Sequence, residues 1–187
     1  MPKKRRSYHH GNLRASLIDV GLRLIEEKGV RAFTLRELGD RAGVSRMAAY
    51  RHFKNKADLL GAISEAGFTQ FADALEAARN GASDSFAARL AAMAQAYVRF
   101  ATEHAAYFEV MFSRVDGAAG EAGERAFGIL EETIRQGQES GEVRAGDSVM
   151  LARMAWAQVH GISMLRLEGG ASFVEFCSEI LLTGLRG

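Results

Sequence analysis

Apolar side chains recur every three to four positions along almost the whole chain, and no stretch alternates with period two long enough to predict a sheet. Leu13, Leu17, Val20, Leu24 and Ile25 place one apolar stripe on a first helix from about Asn12 to Lys28, and Gly29 closes it. A short second helix carries agreeing start signals. Thr34 and Glu37 form a capping box, while Phe33 and Leu38 hold the two positions of a hydrophobic staple. Ala42-Gly43-Val44 then makes a tight turn and Ser45 caps a third helix. After Phe53, Asn55 caps a longer fourth helix running through Leu59, Ile63, Phe68 and Phe71 to about Asn80.

Asn80-Gly81-Ala82-Ser83 breaks the pattern and is the boundary the sequence suggests best. Ser83 or Asp84 then caps a helix through Phe86, Leu90, Met93, Tyr97 and Phe100, and Tyr107, Phe108, Met111 and Phe112 fall on a short one. The Gly/Ala-rich stretch from Asp116 to Gly123 predicts a mobile loop. Three further helices follow, at about Glu124–Ser140, Asp147–Leu167 and Ala171–Leu185, the last two parted by Gly169-Gly170. The expectation is an all-α protein of about nine helices, with an N-terminal three-helix unit and a larger helical bundle behind it. Its expected divisions are a basic arm (1–8), the three-helix unit (9–56), a connecting helix (57–80) and a body (81–187).

Charge divides the chain at the same place. Residues 1–60 carry 14 Lys and Arg against 6 Asp and Glu, and all five lysines lie at or before Lys56. The remainder has 10 Arg, no Lys and 17 acidic residues, so a net charge of +1 hides a polyanion-binding module joined to an acidic body. A composition of 48% hydrophobic and 25% charged residues is that of a globular protein, not a disordered one. No apolar run approaches the roughly 18 residues that span a bilayer. The basic N-terminus lacks the apolar stretch of a secretory signal, and a lone Cys177 fits a reducing compartment, so a cytoplasmic protein is expected.

A turn as short as Ala42-Gly43-Val44 presses two helices into an angled pair, and the second projects where it can enter a DNA major groove. Leu35, Leu38, Ala42, Val44 and Ala48 have the sizes and spacings to seal that pair, and Gly43 suits a turn position with positive φ. The outer face then offers Ser45, Arg46, Met47, Tyr50, Arg51, His52 and, just past it, Lys56. Arg46 and Met47, in the first turn, are candidates for base edges: guanine for the guanidinium, a thymine methyl for the thioether. Thr34, Arg36, Tyr50, Arg51, His52 and Lys56 are candidates for the backbone, where cations, hydroxyls and helix N-termini serve phosphates. Tyr50 has a core reading as well; Phe53 is read as core. Lys3, Arg5 and Arg6 belong to a cationic arm with three readings: a minor-groove or phosphate contact, a nuclear localisation pattern, or a solubilising tail.

These residues resemble the TetR family of bacterial transcriptional regulators. The resemblance rests on His10-Gly11, Phe33-Thr34-Leu35-Arg36-Glu37-Leu38, Ala42-Gly43-Val44-Ser45 and Tyr50-Arg51-His52-Phe53 with Lys56 and Leu59, and it covers residues 9 to 65. It places His9-His10 at the entrance of the module, where a metal tract or tag remnant is the other reading. Gly39 departs from the pattern, since a better helix former is usual there. The middle of the third helix, Met47-Ala48-Ala49, carries few base-reading groups.

The resemblance implies a C-terminal helical domain that dimerises and binds a small inducer, and hence a repressor that leaves a palindromic site when the inducer binds. In the helix from Asp147, Leu151, Ala155, Gln158, Ile162 and Leu165 make one stripe, and Met150, Met154, Ala157, Gly161 and Met164 another. A helix apolar on two faces buries both, one in its own core and one against a second subunit, the last two helices (147–185) forming the joint. A fully buried central helix in a monomer is the alternative. Trp156…His160-Gly161 is similar to a signature of one C-terminal domain type in the family. A pool of Met93, Tyr97, Tyr107, Phe108, Met111, Trp156, His160 and Met164 could line a pocket for a small apolar or aromatic ligand. Cys177 reads as inert packing. No cofactor or metal is expected. No metal-spaced cluster, phosphate loop or based nucleophile suggests catalysis. The competing function is a constitutive DNA-binding or interaction protein without a small ligand.

Overall fold

Side-chain caps decide where most of the helices begin. A computed structural model describes residues 13–113, 120–165 and 170–186, and these form nine α-helices without a strand. The helices are α1 (Leu13–Lys28), α2 (Leu35–Arg41), α3 (Arg46–His52), α4 (Lys56–Gly81), α5 (Phe86–Glu103), α6 (Ala105–Phe112), α7 (Gly120–Glu139), α8 (Ser148–Leu165) and α9 (Gly170–Leu185). Thr34 Oγ1 accepts the Glu37 N–H at 3.2 Å, Ser45 Oγ accepts the Ala48 N–H at 3.2 Å, and Asn55 Oδ1 accepts the Asp58 N–H at 2.8 Å. Each removes one of the orphan donors of a helix start. Gly43 sits at φ +68°, the left-handed conformation that ends α2 and turns the chain into α3.

Several details differ from the sequence-based expectation. The Glu37 carboxylate, expected to close the capping box, instead pairs with Lys28 at the end of α1. The cap of α5 is Ser85, whose Oγ accepts the Ala88 N–H at 3.2 Å, because Asp84 is engaged with Arg89 at 3.0 Å. The stretch expected to be mobile is helical from Gly120, with Ala122 and Gly123 buried in α7; its residues 116–119 lie outside the described ones. Gly170 opens α9 and does not part it from α8, while Gly169 lies outside the described residues.

Two hydrophobic cores result. Leu17, Leu24, Phe33, Leu38, Ala49 and Phe53 centre the first, built by α1 to α3 and the start of α4. Phe71, Tyr97, Phe100, Leu130, Ile134 and Ala155 are among those centring the second. Two helices belong to both. α4 gives Leu59, Leu60 and Ile63 to the first core and Phe68, Phe71, Ala72 and Leu75 to the second. α6 gives Ala106 and Val110 to the first, and Phe108 and Met111 to the second. α6 crosses α4 at Gly67, where an added Cβ would meet Met111 Sδ at 2.7 Å and the Tyr107 ring at 2.9 Å. Arg125 of α7 holds the far half of α4, with one guanidinium nitrogen 2.6 Å from Asp73 and another 2.6 Å from Glu76.

Gly39 and Gly67 are both helical and buried, yet their surroundings predict opposite effects. A Cβ at Gly39 would lie 3.5 Å from the Ala49 Cβ and 3.7 Å from the Val44 carbonyl oxygen, ordinary contact distances. Gly39→Ala should therefore stabilise the protein by roughly 0.5–1 kcal/mol through helix propensity. Gly67→Ala should destabilise it by about 1–3 kcal/mol through overpacking. Thermal denaturation of the two variants beside the parent checks the pair, and a lowered Tm for Gly39→Ala would refute the first.

Candidate functional site

The short helix α3 has an inner and an outer face. Ala48 and Ala49 are buried against the rest of the unit, and Phe53 behind them is fully enclosed. Small residues there let α3 lie close to α2, with Gly39 directly beneath Ala49. The inward turn of Ala48 and Ala49 explains why the middle of α3 carries so few groups able to read bases. What faces out is Arg46, Met47, Tyr50, Arg51 and His52, all exposed. Met47 is 71% exposed and Tyr50 37%, so two large apolar bodies stand together on one small face. The Arg46 guanidinium lies over the Tyr50 ring at 5.4 Å, so the two side chains brace each other.

Thr34 and Ser45 spend an oxygen lone pair on their caps, which leaves each hydroxyl hydrogen able to donate outward. Arg36, on the exposed side of α2, stands 4.0 Å from Asp40. Lys56 behaves differently from the other cations. Its Nζ donates to the Phe33 carbonyl at 2.8 Å and lies 4.2 Å from the centroid of the Phe33 ring. Partial burial lowers its pKa from the usual lysine range. The side chain therefore ties the start of α4 to the loop before α2. Lys3, Arg5 and Arg6 lie outside the described residues.

A second site opens between α5, α8 and α9, with Leu75 and Leu130 closing it from α4 and α7. Of the residues expected at a pocket, Met93, Tyr97 and Trp156 line this cleft. Phe108 and Met111 are core packing, and Tyr107 packs between the two cores. His160 stands behind Tyr97, with Nδ1 2.7 Å from the phenol oxygen; Phe112 flanks it with ring centroids 4.5 Å apart. Met164 is corrected outright: it belongs to the stripe of α8 that faces away from the core and is 51% exposed. Val174, Cys177, Ser178 and Leu181 of α9 and Gln158 of α8 were not foreseen. The available signal was the 174-177-178-181 spacing, an inward helix face containing two small polar residues. Cys177, expected to be inert packing, forms part of the wall.

A three-helix unit that presents a small, basic second helix of a helix-turn-helix, carried on a helical body with its own cleft, defines a DNA-binding transcription regulator. The family described as "Bacterial regulatory proteins, tetR family" matches residues 17–63, and "Tetracyclin repressor-like, C-terminal domain" matches residues 90–182. The chain belongs to the TetR family of transcription regulators. Over 52 residues it is 46% identical to the HTH-type transcriptional regulator AcrR of Shigella flexneri, covering 28% of this chain and 24% of that protein. The matched stretch thus spans about a quarter of that relative's length. A protein of unknown function from Rhodococcus sp. RHA1 is 32% identical with a TM-score of 0.86, over 98% of this chain and all (100%) of that one. The TetR family regulator PfmR of Thermus thermophilus shares the fold at 22% identity, with a TM-score of 0.75 over 93% of this chain and 97% of that one.

Burial holds the His160 imidazole below the usual histidine range, so the folded protein favours its neutral form. That contribution to stability is present above the unfolded value of about 6.5 and is lost as pH falls through the lower folded value. Chemical denaturation at pH 7 and pH 5 should show a loss of stability at the lower pH that shrinks in His160→Gln. An equal loss in the variant would remove His160 as its source.

Proposed function

We propose that the protein is a homodimeric repressor: two copies join through α8 and α9, lay their α3 helices in successive major grooves of a palindromic operator, and let go when a small apolar molecule enters the body. One observation carries this reading. Of the eight exposed large hydrophobic side chains among the described residues, two lie on α3 and the other six on α8 and α9. Among the described residues, exposure of large apolar side chains is thus confined to the face that would meet DNA and the face that would meet a second subunit.

Met150, Met154, Met164, Leu165, Phe176 and Ile180, at 45–70% exposure, form the second face. Two antiparallel helices with such a face bury it when two copies meet about a two-fold axis as a four-helix bundle. The charges beside it suit the same pairing. α8 carries the exposed Arg153, and α9 carries the exposed Glu175 and Glu179, so an isologous contact can oppose unlike charges. On DNA, Arg46 and Met47 are assigned to base edges, and Thr34, Arg36, Ser45, Tyr50, Arg51 and His52 to phosphates. Lys56 contributes by fixing the start of α4, whose N-terminus flanks the groove. The cationic arm with Lys3, Arg5 and Arg6 adds backbone or minor-groove contacts. Among the described residues no helix is long and apolar enough to cross a membrane, and the site of action is taken as the bacterial cytoplasm, at the nucleoid when bound to DNA.

The uncharged, mostly apolar lining of the cleft supports the ligand-released reading over a constitutive binder, because such walls suit a small apolar molecule. Sequencing of the DNA fragments captured by the protein tests the reading as a whole; the expected result is a shared palindrome whose half-sites lie one helical turn apart or a multiple of it. Met154→Glu or Phe176→Glu should give a sedimenting monomer with weakened operator binding. A variant that stays dimeric would move the interface elsewhere. Arg51→Ala should weaken binding to every sequence and flatten the salt dependence by about one counterion. Arg46→Ala should relax preference at one base pair, by about 1–3 kcal/mol of discrimination. Equal loss across all sequences in Arg46→Ala would reassign that residue to the backbone.

A further inference from the structure

The cleft between α5, α8 and α9 has a one-sided chemistry. No charged side chain is among its described lining residues. Three of its hydrogen-bonding side chains already have partners within the protein. Ser178 Oγ donates to the Val174 carbonyl at 2.8 Å, Gln158 Nε2 donates to the Cys177 carbonyl at 2.9 Å, and the Tyr97 hydroxyl is paired with His160 at 2.7 Å. The rest of the wall is Leu, Ile, Val, Ala and Met, the Cys177 thiol and the Trp156 indole, whose single N–H is the one strong donor among them. An ion entering here would shed its water and find no counter-charge, whereas an apolar ring would need nothing from the wall except contact.

Size adds a second constraint. The free space is about 40 Å³, while an apolar cavity that holds benzene measures about 150 Å³. A ring therefore enters only if part of the wall gives way. Leu75, Leu90, Met93 and Leu130 belong to helices locked into the second core from several sides. α9 is the exception, because its substantial packing is against α5 and α8 alone. Its C-terminal end is pinned: Leu185 is fully buried, and its carbonyl accepts the Arg144 N–H at 2.8 Å. The cleft residues Val174, Cys177, Ser178 and Leu181 sit ahead of that pin, and on the opposite side of the same turns Phe176 and Ile180 face outward.

We propose that the cleft binds an uncharged apolar molecule built on a single ring, and that seating it swings α9 about its Leu185 end, so that the signal leaves through the face where two copies meet. This rests on the reading of the protein as a ligand-responsive dimer. The ligand lies beneath the seam and moves Phe176 and Ile180 with the helix that carries them. Occupancy and dimer geometry are then linked, each altering the other by the same factor.

The chain's single tryptophan and single cysteine both line the cleft, so the full-length protein reports occupancy without any label. Propylbenzene and toluene should shift Trp156 emission saturably and slow alkylation of Cys177 at least fivefold. Benzoate at the same concentration should do neither. Ala94→Phe, which fills the cleft from α5, should abolish both responses while circular dichroism shows the helices intact. Leu181→Ala, which enlarges it, should tighten propylbenzene severalfold. A Trp156 and Cys177 response to benzoate, or no response to the neutral rings in either parent or Leu181→Ala, overturns the ligand assignment. Equal propylbenzene affinity in the parent and in a monomeric Phe176→Glu variant overturns the α9 route. The repressor reading fails separately: saturable binding that depends on the dimer yet leaves operator affinity unchanged supports the cleft and its route while removing the inducer role.

Discussion

Both hydrophobic cores depend on α4 passing through them unbroken. Leu59 and Ile63 are fully enclosed in one core and Phe71 in the other, separated by about two turns of the same helix. A helix buried at both ends has little freedom to bend between them, because each turn holds several interlocked side chains. The α3 surface and the cleft of the body are therefore mounted on one rod. The Arg125 clamp on Asp73 and Glu76 fixes the rod on the side of the second core, and the Lys56 bond to the Phe33 carbonyl fixes it on the side of the first. The exposed clamp is weakened by salt more than the partly buried lysine contact.

The helix α3 has few side chains to spare for base edges. Two of its seven residues, Ala48 and Ala49, are spent on packing, and the Arg46 side chain is partly committed to the Tyr50 ring. Its first turn offers outward one cation and one thioether. A helix so equipped suits contacts to the DNA backbone and to its shape better than direct readout, since narrow grooves attract cations without regard to base identity.

Much of the N-terminal unit was legible because its signals are local. A cap acts over three residues and a staple over five, so Thr34, Ser45 and Asn55 declare their helices in sequence alone. Legibility failed where a side chain had two partners to choose from. Glu37 could fold back on the backbone or reach Lys28, and the choice depends on where α1 ends in space. Asp84 and Ser85 are both good caps, and the ion pair with Arg89 decides between them. The cleft was the least legible part. Its aromatic members were visible by type, but Met164 and Met93 look alike in sequence, and only the docking of α8 and of α5 sends the first outward and the second inward. The contribution of α9 depends wholly on that docking.

The first core is discontinuous in the chain, since Ala106 and Val110 complete it from α6 after the whole of α5 has intervened. The N-terminal unit is consequently not a transplantable cassette. A chain cut after α4 would leave bare the patch that α6 covers, and a DNA-binding unit moved onto a foreign sensor would meet a different helix there. Glycine at position 67 must travel with a partner shaped like Met111 and Tyr107, so that the two halves exchange parts only as a matched set. A substitution on the inward faces of α6 bears on both cores, whereas α9 packs mainly on α5 and α8.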